Sequence, residues 1–160
     1  MTPNPTLFNA VAEFISYEAD LLDHKEYQDW LSLWSDDGLY IVPIDQNTTD
    51  YASHLNFAYD DAEMRELRVK RFMGGESVSS NAMERTIRSV SRFRITATEG
   101  DLVEARCAMQ LSEVRHDQTI HYSADLEYRL KRQGDSFVLH QKVVRLLNSN
   151  AYLRTVAFVF

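Results

Sequence analysis

Residues 85–147 carry the feature that most constrains this chain: four consecutive runs in which apolar and polar side chains alternate. The runs are Arg85–Thr98, Leu102–Arg115, Thr119–Arg132 and Ser136–Leu147. Between them stand Glu99-Gly100-Asp101, His116-Asp117-Gln118 and Gln133-Gly134-Asp135, short polar triplets of the kind that join antiparallel strands. A period of two sends successive side chains to opposite faces of a sheet. Val103, Ala105, Cys107, Met109 and Leu111 therefore share one side, opposite Glu104, Arg106 and Gln110. Tyr122, Ala124, Leu126, Tyr128 and Leu130 do the same, opposite His121, Asp125, Glu127 and Arg129. Phe93, Ile95 and Ala97 point inward, away from Arg92 and Arg94. An antiparallel meander with one apolar face follows.

The last run departs from that pattern. Its alternation puts Val138, Val144 and Leu146 on the side where the other strands are polar, and a strand apolar on both faces needs cover on both. The tail 155–160, TVAFVF, is also too apolar to hang in water. These features predict a subunit interface formed by Val138, Val144, Leu146, Phe158 and Phe160.

The first half of the chain supplies the cover. Asn4-Pro5 reads as a helix start, Asn4 capping and Pro5 standing where its missing N–H costs nothing. Leu7, Val11, Phe14, Ile15, Leu21 and Leu22 then recur at helical spacing until Asp23-His24. A second helix is predicted from Glu26, with Tyr27, Trp30, Leu31 and Trp34 on its buried side. Asp36-Asp37-Gly38 is predicted to end it, with Gly38 in a left-handed turn. Leu39–Ile44 reads as a strand and 45–59 as a polar loop. A third helix runs from Asp60, Asp61 and Glu63 to Lys70 and Arg71, a charge order that complements the helix dipole, and Gly74-Gly75 stops it. Helices first and a meander after give an α+β fold, expected as one domain over 1–160.

Composition narrows the function classes. Seventeen Lys and Arg against 24 Asp and Glu leave a net charge of −7, a field that opposes nucleic acid and anionic membranes. One cysteine, Cys107, excludes an internal disulfide framework and a cysteine-held iron–sulfur cluster in this chain. No stretch approaches the ~18 apolar residues of a membrane helix, and the N-terminus lacks a secretory pattern, so the expected location is cytoplasmic. His116 and His121 flank a turn, but a metal site would need a further ligand, and two exposed histidines are the plainer account. The series Arg65, Arg68, Lys70, Arg71, Arg85, Arg88, Arg92 and Arg94 could bind an anion or simply face solvent. Tyr17, Asp20 and Asp23 on the first helix could serve as acid or base in a sheet-lined pocket if a tyrosine such as Tyr40, Tyr122 or Tyr128 completed the set. Otherwise those aspartates are solvated or paired with arginine.

The segment YEADLLDHKEYQDWLSLWSDDGLYIVP, Tyr17–Pro43, resembles the opening of the small (beta) subunit of bacterial aromatic-ring-hydroxylating dioxygenases. The matching elements are Glu18-Ala19, Leu21-Leu22-Asp23, Trp30-Leu31, Leu33-Trp34 and Tyr40–Pro43. Further on, Asp60-Asp61, Leu67–Phe72, Arg85-Thr86 with Arg88, Ala124–Arg132 and Val138–Leu147 follow the family in order. Ser77–Asn81 and Phe137 depart from it. The resemblance implies a cystatin-like, nuclear-transport-factor-like cone, with N-terminal helices packed on a curved antiparallel sheet. It also implies a structural role beside an alpha subunit that holds a Rieske 2Fe–2S cluster and a mononuclear non-haem iron, three copies of each chain, and no cofactor in this one. A stand-alone cone-fold dehydratase or isomerase, or a small-ligand binding module, is the alternative.

Overall fold

The computed structural model describes residues 4–73, 85–147 and 159–160. Helix α1 spans Pro5–Asp23, and the Asn4 side chain accepts the Leu7 N–H at 3.2 Å, the cap expected from sequence. It ends where His24 N–H returns to the Asp20 carbonyl and Lys25 takes a left-handed φ of 57°. Val11, Phe14, Ile15, Leu21 and Leu22 are buried, so the apolar stripe faces the sheet. Helix α2, Tyr27–Ser32, is short and buries Tyr27 and Trp30. Helix α3, Ala62–Met73, buries Arg65 and Val69. The predicted stop at Gly74-Gly75 lies outside the described residues.

Six strands form one sheet in the order β2-β1-β6-β5-β4-β3. They are β1 (Trp34–Pro43), β2 (Asn56–Asp60), β3 (Arg85–Glu99), β4 (Leu102–Arg115), β5 (Gln118–Gln133) and β6 (Ser136–Leu146). The meander β3–β6 is antiparallel throughout, with Gly100 and Gly134 at φ of 57° and 60° in the turns where sequence placed them. The β4 and β5 faces are also those expected, from Val103 to Leu111 and from Tyr122 to Leu130. α1 lies across this face, with Phe8 edge-on to Phe93 and Phe14 edge-on to Phe137.

Four expectations need correction. Trp34 opens β1 rather than closing a helix, and Asp36-Asp37-Gly38 is an irregularity inside that strand. Gly38 is needed for close approach rather than for a left-handed turn. A Cβ there would stand 2.7 Å from the Trp34 ring and 3.0 Å from the Leu139 carbonyl. Second, the loop 45–59 runs into an edge strand, because Asn56–Asp60 finds main-chain partners on β1, and its brief Phe57-Ala58-Tyr59 run does not stand out from the polar residues before it. Third, β1 runs parallel to β6, so the sheet is mixed rather than wholly antiparallel.

The fourth concerns β6. Leu130 opposes Leu139 while Arg129 opposes Gln141, which leaves one extra residue, His140, on β6. Such a bulge reverses the facing of everything beyond it. Val144 and Leu146 thus oppose Leu126 and Ala124 on the helix-covered face and are fully buried within the chain. Phe160 is buried in the same core. These three are core residues, not contact surface. Val138 opposes Lys131 on the other face and is half-buried, and Phe158 lies outside the described residues.

Candidate functional site

The apolar stripe of α1 is interrupted once, by Glu18, which is 1% exposed. A carboxylate so placed must be paired or neutralised. Its partners come from three elements. Lys142 Nζ of β6 and Trp30 Nε1 of α2 each donate to Oε2 at 2.8 Å, and the Tyr128 hydroxyl of β5 donates to Oε1 at 2.8 Å. Lys142 also donates to the main-chain oxygen of Phe160 at 2.8 Å, and Phe160 N–H donates to the Tyr40 hydroxyl at 3.0 Å. Val159 accepts from the Arg88 guanidinium, which in turn holds the Asp23 carboxylate.

Burial dominates the protonation chemistry here. It lowers the Lys142 ammonium, against the opposing pull of Glu18, and pushes the Tyr128 phenol well above its ordinary range, with Glu18 adding to the rise. Tyr40 is raised by the same cause. Phenols so raised stay protonated and serve as hydrogen-bond donors or acceptors. The Cys107 thiol is pushed up to about 12, again by burial, and is an inert core residue as expected.

A second polar cluster sits under α3. Arg68 grips the buried Asp60 carboxylate through Nε and Nη2, and Arg65 lies 4.2 Å from the centre of the Trp34 ring. Arg65 donates to the carbonyls of Gly38, Asp60 and Ser35, so it fastens the β1 irregularity to the helix. Sequence placed Asp60 at a helix start. It is the last residue of β2, with its side chain turned to Arg68.

The other residues singled out by sequence are not assembled into one site. Tyr17 is 47% exposed and Asp20 faces solvent near His24, whereas Asp23 is turned to Thr86 and Arg88 on β3. His116 occupies the β4–β5 turn at φ 50°, while His121 pairs with Ser112 across the strands. Within the basic series, Arg65, Arg68, Arg88 and Arg92 are engaged by carbonyls or carboxylates of the chain itself. Among the described residues, no group of three or more His, Cys, Asp or Glu side chains could hold a metal ion. No described helix is long and apolar enough to cross a membrane.

Sequence reasoning passed over Glu18 and Lys142 as a pair. The signal was present: Glu18 stands four residues after Phe14 and four before Leu22, and Lys142 alternates with Val144 and Leu146. Each is a lone charge on an apolar face.

Comparison with known proteins agrees with this architecture. Residues 17–151 match the family model described as ring hydroxylating beta subunit. The small oxygenase component of a p-cumate 2,3-dioxygenase system from Pseudomonas putida is 29% identical over 124 residues, covering 76% of this chain and 69% of that protein. The small subunit of anthranilate 1,2-dioxygenase from Acinetobacter baylyi is 24% identical over 144 residues, covering 87% and 88%. In fold, the chain is similar to the beta subunit of benzoate 1,2-dioxygenase from Burkholderia mallei, with a TM-score of 0.78 at 22% identity over 93% of this chain and 95% of that one. A naphthalene 1,2-dioxygenase structure gives 0.71 at 19% identity, covering 89% and 79%. The helix-covered cone, its motif order and a family match over most of its length together make this chain a member of the ring hydroxylating beta subunit family.

Proposed function

We propose that this chain is the supporting, non-catalytic small subunit of a cytoplasmic oxygenase that adds both atoms of dioxygen to an aromatic ring. The observation that carries the reading is the Glu18 cluster. All three donors on that carboxylate are side chains of the same chain, and Phe160 accepts from Lys142 beside it. The groups best suited to acid–base work are thus engaged in joining α1, α2, β5 and β6.

A Rieske 2Fe–2S cluster and a mononuclear iron belong, on this reading, to a large alpha subunit. The residues here do not fit either group: the single cysteine is buried, and the five histidines are dispersed. Names of relatives support an aromatic substrate for the whole enzyme, and the partner's pocket would select it. Self-association as a trimer, through the face of β6 that carries Val138, completes the proposal.

Co-expression with the large subunit encoded beside it tests the reading. Expected is a mixed complex in which iron and the Rieske absorbance travel with the large subunit, and in which neither follows this chain purified alone. Stoichiometric iron on the isolated chain, or failure to associate with that partner, overturns it. Intrinsic dehydratase or isomerase activity, lost on Asp23→Asn, would favour the stand-alone enzyme instead.

A further inference from the structure

We infer that the outer edge of β3, where its pairing with β4 is broken twice, carries a binding site for a small carboxylate that bears an aromatic ring. The inference concerns this chain by itself and does not depend on any large subunit. β3 is the last of the six described strands, so its far edge pairs with none of them. Its ladder to β4 slips between Ser91 and Arg94 and again between Ile95 and Ala97. Arg92, within the first slip, takes a left-handed φ of 57° that few non-glycine residues adopt. Bulges of this kind re-aim side chains and collect beside functional sites. Here they flank a cavity of about 540 Å³, with Phe8, Phe93 and Ile95 from the helix-covered side and Arg94, Thr96 and Arg106 from the other.

The charges around this cavity do not cancel among themselves. On the face turned away from the helices, Glu104 is paired with Arg129, Asp125 with Arg92 and Glu127 with Arg145. Arg94 and Arg106 stand directly opposite each other on β3 and β4, and among the described residues no carboxylate or carbonyl engages either guanidinium. The Arg106 Nε is buried without a hydrogen-bond partner. Like charges opposite one another across a ladder repel, and a buried N–H left unmet is costly. In a chain of net charge −7, two uncompensated cations at one place suit an anion, and arginine forks match the two oxygens of a carboxylate. Phe8 is 40% exposed and meets Phe93 edge-on, with ring centroids 6.5 Å apart, so an apolar wall stands beside that charge. The cavity falls within the range of small-molecule sites, about 300–1,000 Å³. A ring-bearing carboxylate satisfies wall and guanidinium pair together, whereas acetate or phosphate satisfies only the pair.

Equilibrium dialysis and thermal melts on the full chain test it, with phenylacetate as the probe and acetate and 2-phenylethanol as its two halves. Phenylacetate is expected to bind saturably, one molecule per chain, and to raise the melting temperature, while acetate and 2-phenylethanol at the same concentration do neither. Arg94→Gln and Arg106→Gln should each weaken phenylacetate binding about tenfold or more, the effect of one charge-assisted hydrogen bond. Each should also melt no lower than the parent in dilute buffer, because the repelling pair is relieved. A guanidinium with a structural partner would give the opposite sign, and a clear fall in melting temperature for both variants overturns the inference. No saturable uptake of phenylacetate, equal uptake of acetate, or an Arg94→Gln protein with the parent's affinity overturns it as well. So does an Arg94→Gln protein that loosens a large subunit while the parent ignores phenylacetate, since the pair then serves a protein carboxylate.

Discussion

Two ion pairs lie on opposite faces of the same sheet, and they differ in almost everything except their chemistry. Lys142–Glu18 spans sheet and helix at 2.8 Å, with side chains 2% and 1% exposed. Arg129–Glu104 crosses β5 and β4 on the other face at 3.3 Å, with both side chains 41% exposed. The outer pair can exchange its partner for water at little cost, and such pairs contribute about 0–1 kcal/mol. Neither member of the inner pair can. Taking two charges out of water is expensive, and the cost is offset only because Trp30 and Tyr128 supply further bonds to the carboxylate. Each member of the inner pair thus requires the other, so that losing one costs far more than losing both.

The sharpest way to break the comparison is to remove one partner on each face. Glu18→Ala should cost about 3–5 kcal/mol, because it leaves a buried ammonium without its counter-charge. Urea melts would show it, and Glu18→Leu combined with Lys142→Met should recover much of the loss. A Glu18→Ala protein as stable as the parent would mean that Lys142 finds water, and that the inner face is less closed than its burial indicates. Gly38→Ala comes next, at about 1–3 kcal/mol, since the new methyl must displace the Trp34 ring or the Leu139 carbonyl.

Alkaline pH separates the faces in a different way. The folded Cys107 thiol titrates at about 12 against 9.0 in the open chain, so the unfolded state releases its proton first. Stability from this group is whole below pH 9 and is lost as pH rises toward 12. Tyr128 and Tyr40, both raised, add losses of the same sign above pH 10, while the lowered Lys142 acts in the opposite sense on approaching 10.5. Cys107→Ala should move the onset of the decline from near pH 9 to near pH 10 in thermal melts. At the small end, Glu104→Gln on the outer face should change stability by about 0–1 kcal/mol, an effect that 0.5 M salt should largely erase.

Much of this was legible in the chain itself. The β4 and β5 faces, the Asn4 cap and the glycine turns are local consequences of residue type at fixed spacing, and each was readable from a few neighbours. The candidate site was less so. Glu18 and Lys142 are visible as isolated charges on apolar faces, yet they are 124 residues apart and nothing in either segment names the other. Tyr17 and Asp20 attracted attention because they are polar and near one another, although helical geometry turns them to solvent. Asp23 proved to be a partner of Arg88, the pairing that its neighbouring charges made plausible.

The sequence by itself determined α1, α3 and the β3–β6 meander in their order, because periodicity, caps and turns act over a few residues, and its ordered motifs carried the family resemblance. Only the tertiary structure decided the facing of β6, the parallel pairing of β1 with it and the destination of Phe160. One inserted residue at His140 swaps the two faces of the strand beyond it, and whether a bulge forms depends on which register buries more apolar surface against the helices. That balance is a property of the packed chain as a whole. It turned Val144 and Leu146 from an expected contact surface into core, and Phe160 joins them there by its own packing inside the cone.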